Sequence, residues 1–273
     1  MRIAVVAPAR SIRPESAARG AAFAALEFPE AELVFDPQCY AEAGHFAGPD
    51  ALRAETFLRY ANDPAYDAIW FARGGYGSNR ILAEVMPKLN DAARAKTYLG
   101  FSDMGFLLGA LYARRIGRPC HGPMSTEATA RNRGGPAWRA LAWLTGKDRR
   151  ALEPGLDGRP AAAFNLAIIT AMLGTPWVPD LTDHVLLLEE VGESYYRIDR
   201  MMFQLANAPQ LRGLAGIRLG SVTDLPEGDG PDAFGETIEA IMARWCREMR
   251  VPYLGRAKIG HDADNTVVPF GIA

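Results

Sequence analysis

The chain has 273 residues, 49% of them hydrophobic, and a formal net charge of −2, so it has ample material for one large core or two ordinary ones. There is no basic stripe or acidic tail, which argues against nucleic acid as a partner, and no apolar run approaches membrane-spanning length. Cys39, Cys120 and Cys246 form no C-x-x-C pair, which argues against a disulfide framework and a zinc site; free thiols in a reducing cytoplasm, and no metal, are expected.

The opening run Met1 to Pro8, MRIAVVAP, is too short in its apolar stretch for a signal peptide and reads as a first buried strand, consistent with a cytoplasmic protein. Pro8-Ala9-Arg10-Ser11 breaks the pattern, and helical period resumes from Glu15 to Leu26. Ala31 to Phe35 is a second short strand, and Ala51 to Asn62 a helix closed by Asp63-Pro64. Ala68 to Ala72 is the next strand, and it runs directly into Arg73-Gly74-Gly75-Tyr76-Gly77. Helical period then returns from Ser78 to Leu89. Thr97-Tyr98-Leu99 reads as a strand, Gly100-Phe101-Ser102-Asp103 as a sharp turn, and the segment carrying Phe106, Leu107, Ala110 and Leu111 as a helix. Strands alternating with helices imply a parallel sheet covered on its faces, with functional groups at the carboxyl ends of the strands. Both unusual loops, 73–77 and 100–103, lie at such ends.

From 132 to 160 arginine, glycine and proline become dense around one short amphipathic piece, Trp138 to Leu144, and this reads as a linker. Phe164 to Leu173 is patterned as an apolar helix. Val185 to Leu188 is a buried strand ending in Glu189-Glu190, Tyr196 to Asn207 a helix, Gly213 to Gly220 a strand, and Phe234 to Met249 an amphipathic helix. Ala257-Lys258-Ile259 reads as a short strand leading into Gly260-His261. The expected fold class is therefore α/β, in two units.

A serine at a strand-to-helix turn has its Oγ lifted off the sheet edge, with the next backbone N–H groups pointing at whatever it attacks. The spacing is not G-x-S-x-G, because Gly105 arrives one residue late, and helix capping by Ser102 or Asp103 is the plainer alternative. A nucleophilic serine needs a base and an orienting acid. Of four histidines, His45 lies in a Gly/Ala/Pro loop, His121 suits packing or loop-fixing at least as well as catalysis, and His184 precedes its strand. His261, behind a glycine in a polar loop, has the best setting for a base. Glu189 follows four apolar residues, where a carboxylate is costly unless paired, and Glu190 is its rival. The Arg73 to Gly77 loop opens a helix and can offer N–H groups to an anion or oxyanion. It is neither a dinucleotide fingerprint nor a P-loop.

Ordered pieces of this chain resemble one family. ARGGYGSNRIL (72–82), GFSD (100–103) with HGPM (121–124), GLAGIRLGS (213–221), LLLEEVGESYYRIDRM (186–201), and Gly260-His261 followed by Asn265, Pro269 and Gly271 are similar to the LD-carboxypeptidases of serine peptidase type S66 and their microcin-immunity relatives. The resemblance implies a Ser102–Glu189–His261 triad and an oxyanion hole of backbone N–H groups, falling here on Gly75 and Asp103. It implies a Rossmann-like N-terminal domain (1–131) carrying the serine, the linker 132–160, and a smaller C-terminal α/β domain (161–273) carrying Glu and His. The active site would then lie at their interface, in a homodimer. Arg73, Tyr76 and Asn165 are the candidate substrate contacts, with helix capping or domain bridging as the alternative for Arg73. Ala163-Phe164-Asn165 departs from the family's usual Gly-Gly-Asn, and Ala7-Pro8-Ala9-Arg10 replaces a more serine-rich turn; both bear on substrate choice.

The resemblance implies a serine carboxypeptidase, without metal or nucleotide cofactor, that hydrolyses the L,D-amide to terminal D-alanine in murein tetrapeptides during peptidoglycan recycling. Hydrolysis of a microcin-like aminoacyl adenylate or another small amide is the second reading, and a non-catalytic small-molecule binding protein is the third.

Overall fold

The computed structural model describes residues 1–127, 134–146, 148–156, 158–226, 228 and 230–272. The first part of the chain builds strands β1 (Arg2–Val6), β2 (Glu32–Phe35), β3 (Ala68–Phe71), β4 (Thr97–Gly100) and β5 (Arg118–His121). Helices α1 (Pro14–Glu27), α2 (Asp50–Ala61), α3 (Leu82–Val85), α4 (Asp91–Ala95) and α5 (Gly105–Ala113) connect and cover them. Next come α6 (Pro136–Gly146), β6 (Ala161–Asn165), α7 (Leu166–Met172), β7 (Val185–Val191), α8 (Tyr195–Asn207) and β8 (Gly216–Thr223). The chain closes with α9 (Pro231–Phe234), α10 (Ile238–Met249), β9 (Tyr253–Arg256) and β10 (Val268–Pro269).

Two sheets result, ordered β10-β5-β4-β3-β1-β2 and β6-β7-β8-β9. All pairings are parallel except that of β10 with β5. The fold is thus α/β, as the alternation of patterns implied. Strands β3 and β4 are buried along their whole length, which explains why they read as unbroken apolar runs rather than alternating ones.

Several elements differ from the sequence pattern. The helix expected over Ser78 to Leu89 is a 3-10 turn (Ser78–Ile81), α3 and a second 3-10 turn (Met86–Lys88). Pro87 lacks the N–H needed to continue the ladder. Phe164 and Asn165 belong to β6 rather than to a helix. A short apolar run does not distinguish strand from helix by period, and the Asn165 side chain caps α7 by accepting from Ile168 N at 3.2 Å. The helix expected from Phe234 to Met249 breaks at Gly235 (φ 92°) and restarts behind Thr237, whose hydroxyl caps α10. The strand expected at 257–259 is displaced to β9, although Ala257 N still donates to Leu219 O at 2.8 Å.

The two sheets share one continuous apolar core. Phe164, 1% exposed, packs at 5.1 Å against the tilted ring of Phe270 and fills the space opposite Gly105 and Gly109 of α5. Tyr112 of α5 donates or accepts at 2.7 Å with His184 Nε2, at the start of β7. The segment read as a linker contains α6, whose Ala140 and Leu141 are fully buried with Ile3, Val5 and Trp70 against the other face of the first sheet. The cysteines Cys39, Cys120 and Cys246 are buried free thiols. Among the described residues no helix is long and apolar enough to cross a membrane.

Phe164→Ala should lower unfolding stability by about 3–5 kcal/mol, the usual cost of emptying a buried aromatic site. Urea denaturation with unchanged m-value checks it, and a loss below about 1 kcal/mol would mean that Phe164 does not join the two halves of the core.

Candidate active site

Ser102 sits two residues beyond the last residue of β4 with φ 58°, in the left-handed region that L-residues avoid. Phe101 before it is extended, and the 3-10 turn Ser102–Met104 feeds directly into α5. This is a strand, a strained turn and a helix, the geometry that exposes a side chain at the top of a sheet. Its support comes from Asp103, 1% exposed. The Asp103 carboxylate accepts from Gly77 N (3.3 Å) and Ser78 N (2.9 Å), while its carbonyl accepts from Ser78 Oγ at 2.6 Å. Burial pushes the Asp103 carboxyl upward, and the hydrogen bonds from Ser78 and Gly77 with the charge of Arg53 oppose that.

These bonds lock the glycine loop after β3 to the serine turn after β4. A Cβ placed on Gly74 would lie 3.0 Å from Ser102 Cβ and 3.1 Å from its Oγ. The Gly75 N–H has no acceptor among the described residues, and the Asp103 N–H opens a helical turn, where the ladder leaves donors unused. From below, buried Arg53 of α2 donates to Pro8 O and Gly77 O and pairs with Asp50.

The second half of the chain contributes a carboxylate and an imidazole. Glu189, completely buried, accepts from His261 Nδ1 through Oε2 at 2.8 Å. With Nδ1 carrying the proton, Nε2 keeps its lone pair, and no described residue occupies it. The His261 ring packs at 4.7 Å on the ring of Phe101, the residue preceding the serine. The imidazole thus lies beside the strand end that carries Ser102, with no hydrogen bond yet drawn between them; catalytic hydrogen bonds commonly tighten only with substrate bound. Burial works to lower the His261 pKa, but the hydrogen bond and charge of Glu189, reinforced by the charges of Glu127 and Glu190, prevail and raise it.

The remaining candidates separate cleanly. His121 is 1% exposed and its Nε2 donates to Asn265 Oδ1 at 3.3 Å, and burial pushes it down to about 3, so it stays neutral and fixes the loop. His184 bonds Tyr112, and His45 packs on Phe46 and Tyr76. Asn165 has both side-chain groups engaged, with Nδ2 donating to Glu190 Oε1 at 2.8 Å. Glu190 also accepts from Ala167 N and Val191 N, and burial pushes it up to about 7. Glu190 is therefore committed to holding α7. Arg73 and Tyr76 are exposed at the rim.

Sequence models of the LD-carboxypeptidase N-terminal domain and C-terminal domain match residues 3–122 and 161–273. The chain belongs to the LD-carboxypeptidase family. A Synechocystis sp. protein with a provisional carboxypeptidase name is 33% identical over 88% of this chain and 79% of its own. The murein tetrapeptide carboxypeptidase of Pseudomonas aeruginosa is 29% identical over 99% of this chain and 91% of its own. In structure, the chain is similar to muramoyltetrapeptide carboxypeptidase from Oxalobacter formigenes (TM-score 0.80, 21% identity, 98% of this chain and 93% of that one). It is likewise similar in fold to the microcin C7 self-immunity protein MccF in complex with aspartyl sulfamoyl adenosine (TM-score 0.76, 18% identity, 99% and 91% covered).

Some residues around this candidate site belong to no recognisable motif. The stem of Arg10 lies over Gly75, where a Cβ would come 2.5 Å from Arg10 Cδ. Burial, and the like charge of Arg10, lower the Arg73 pKa, and neither guanidinium has an acidic partner among the described residues. Arg139 of α6 reaches the histidine loop, its Nε donating to Asn265 O at 2.7 Å. Glu153 accepts from Lys258 N (2.9 Å) and Thr266 Oγ (2.8 Å) at the base of the same loop. In the sequence Arg10 shows only as part of the Ala7-Pro8-Ala9-Arg10 turn just past β1, at the carboxyl edge of the sheet.

In Glu189→Gln the largest influence raising His261 disappears while its burial remains, so the imidazole should titrate at lower pH than in the wild type. An NMR titration of His261 checks this, and an unchanged or higher pKa would contradict the pairing. In the wild type the imidazolium pairing contributes stability fully below the unfolded-state pKa, and that contribution fades as pH rises through the folded-state pKa.

Proposed function

We propose that this LD-carboxypeptidase family member is a cytoplasmic serine carboxypeptidase, working as a homodimer in peptidoglycan recycling, that hydrolyses the L,D-amide to the terminal D-alanine within murein tetrapeptides. The observation that carries this reading is the 2.8 Å bond from His261 Nδ1 to buried Glu189, with the imidazole seated on Phe101 next to Ser102. Ser102 Oγ attacks the scissile carbonyl as His261 Nε2 takes its proton, and His261 then returns that proton to the leaving amine of D-alanine. Water enters by the reverse sequence and frees the acyl peptide. Glu189 holds the tautomer and stabilises the imidazolium. The N–H groups of Gly75 and Asp103 receive the oxyanion, an interaction whose single donors typically account for about 100- to 1000-fold in turnover. In this reading the serine belongs to a unit spanning 1–131, the connection is 132–160, and the acid and base belong to 161–273.

Arg73 and Arg10 are the natural receptors for substrate carboxylates, since two adjacent cations without an acid between them favour an anionic ligand and a guanidinium pairs a carboxylate bidentately. Tyr76 lies in the same loop as Arg73. Asn165 acts in this scheme by orienting Glu190 and α7. The named murein tetrapeptide carboxypeptidase among the relatives covers nearly the whole chain, whereas the likeness to MccF is one of fold, at 18% identity. This favours the muropeptide over an aminoacyl adenylate.

Incubated with murein tetrapeptide, the wild type should release D-alanine, seen by mass spectrometry, and Ser102→Ala should be slower by about 10⁴-fold or more. Equal release by both proteins would end the hydrolytic assignment. Replacing Arg10 or Arg73 by Ala should reduce kcat/KM about 10- to 100-fold, mainly through KM, as loss of a charge-assisted hydrogen bond does. A tetrapeptide amidated at its terminal carboxylate should be equally poor for the wild type, and insensitivity to all three changes would remove the arginines from recognition.

A further inference from the structure

Two buried polar atoms next to the candidate acid have no hydrogen-bond partner among the described residues: Glu189 Oε1 and Ser221 Oγ. The Glu189 side chain is fully buried and Ser221 is 6% exposed. Both side chains flank the position that a Gly260 side chain would take. Strand β7 pairs with β8 in register at Leu188↔Leu219, but the next partners are Glu190↔Val222. Glu189 therefore faces two residues of β8, Gly220 and Ser221, at a one-residue bulge of the kind that re-aims side chains near active sites.

Gly260 has φ +124°, and a Cβ there would collide with Ser221 Oγ while lying 3.2 Å from Glu189 Oε2 and 3.0 Å from Glu189 Cβ. The missing side chain is what lets serine and carboxylate share this volume. Ser221 also donates its N–H to Ile259 O at 2.8 Å, so the same residue that faces the acid anchors the backbone two residues before His261.

A buried carboxylate oxygen left unpaired is costly, and a hydroxyl carries one donor on a freely turning bond. We infer that Ser221 is a positioning residue for Glu189: its hydroxyl donates to Oε1, directly or across one buried water, and so holds the carboxylate plane that aims Oε2 at His261 Nδ1. Asn265 Nδ2 is the rival donor, also buried without a partner, but its side chain is already held by Gly260 N and His121 through Oδ1. The inference rests on the Ser102–Glu189–His261 reading, which the test keeps separate.

The test compares wild type, Ser221→Ala and Ser221→Thr, each also in a Ser102→Ala background. One readout is the low-field proton resonance of His261 Nδ1–H, which needs no turnover. The other is the kcat against KM split on murein tetrapeptide, with thermal unfolding as a control. Expected for Ser221→Ala are a shifted or broadened resonance and a kcat lowered about 10- to 100-fold, with KM and Tm near wild type. Ser221→Thr, which keeps the hydroxyl, should restore both. If Ser221→Ala leaves the resonance and kcat unchanged, or alters them only in step with a loss of Tm, the positioning role is overturned. If the wild type releases no D-alanine while Ser221→Ala still moves the resonance, the proposed substrate fails and the role of Ser221 stands.

Discussion

The arrangement of the site depends on a very short piece of pairing. Strand β10, two residues long, returns antiparallel to β5 with Val268 opposite His121 and Pro269 opposite Cys120. That return fixes where the preceding loop, 258–266, can lie, and it lies over the end of β4. The loop is closed on itself by Thr266 N donating to Lys258 O at 2.8 Å, and it is gripped at its base by Glu153, whose carboxylate pairs with Arg218 at 3.0 Å. A histidine on a free loop would spend its time in solvent. Held in this way, it rests on Phe101 at the end of β4 with little conformational freedom left to lose.

Buried acids surround this assembly, and each is answered differently. Asp103 receives backbone N–H groups of the glycine loop. Glu190 receives two N–H groups and an amide. Glu153 has a guanidinium. Only Glu189 spends its charge on an ionisable imidazole, which ties its contribution to a proton that moves during the proposed reaction. The other carboxylates shape the scaffold, and Glu127 and Glu190 add to the field that raises His261.

Much of this was legible locally. The serine turn, the glycine loop, the acid after four apolar residues and the histidine behind a glycine are all written in contiguous residues, and the order of strands and helices follows from apolar period. The expected strand at 185–188 in fact runs through Val191, so Glu189 is inside a strand rather than at its end. What reading missed is non-local. The bulge that brings Ser221 to Glu189 exists only in the register of two strands. The approach of Arg10 to Gly75, and of Arg139 to the histidine loop, joins residues more than sixty and more than a hundred positions apart. Phe164 and Asn165 read as helical in the sequence because a short apolar run such as Ala161 to Phe164 fits either secondary structure. Pro87, by contrast, was readable as a breaker and marks where the long helix fails.

The left-handed backbone at Ser102 carries one more consequence. Glycine would occupy that turn with roughly 1–2 kcal/mol less strain, so the hydroxymethyl group costs the backbone something there. The fold on its own terms would do better without it. In the proposed reading, a serine held at such a point is a trade of foldability for chemistry, legible in a single torsion angle.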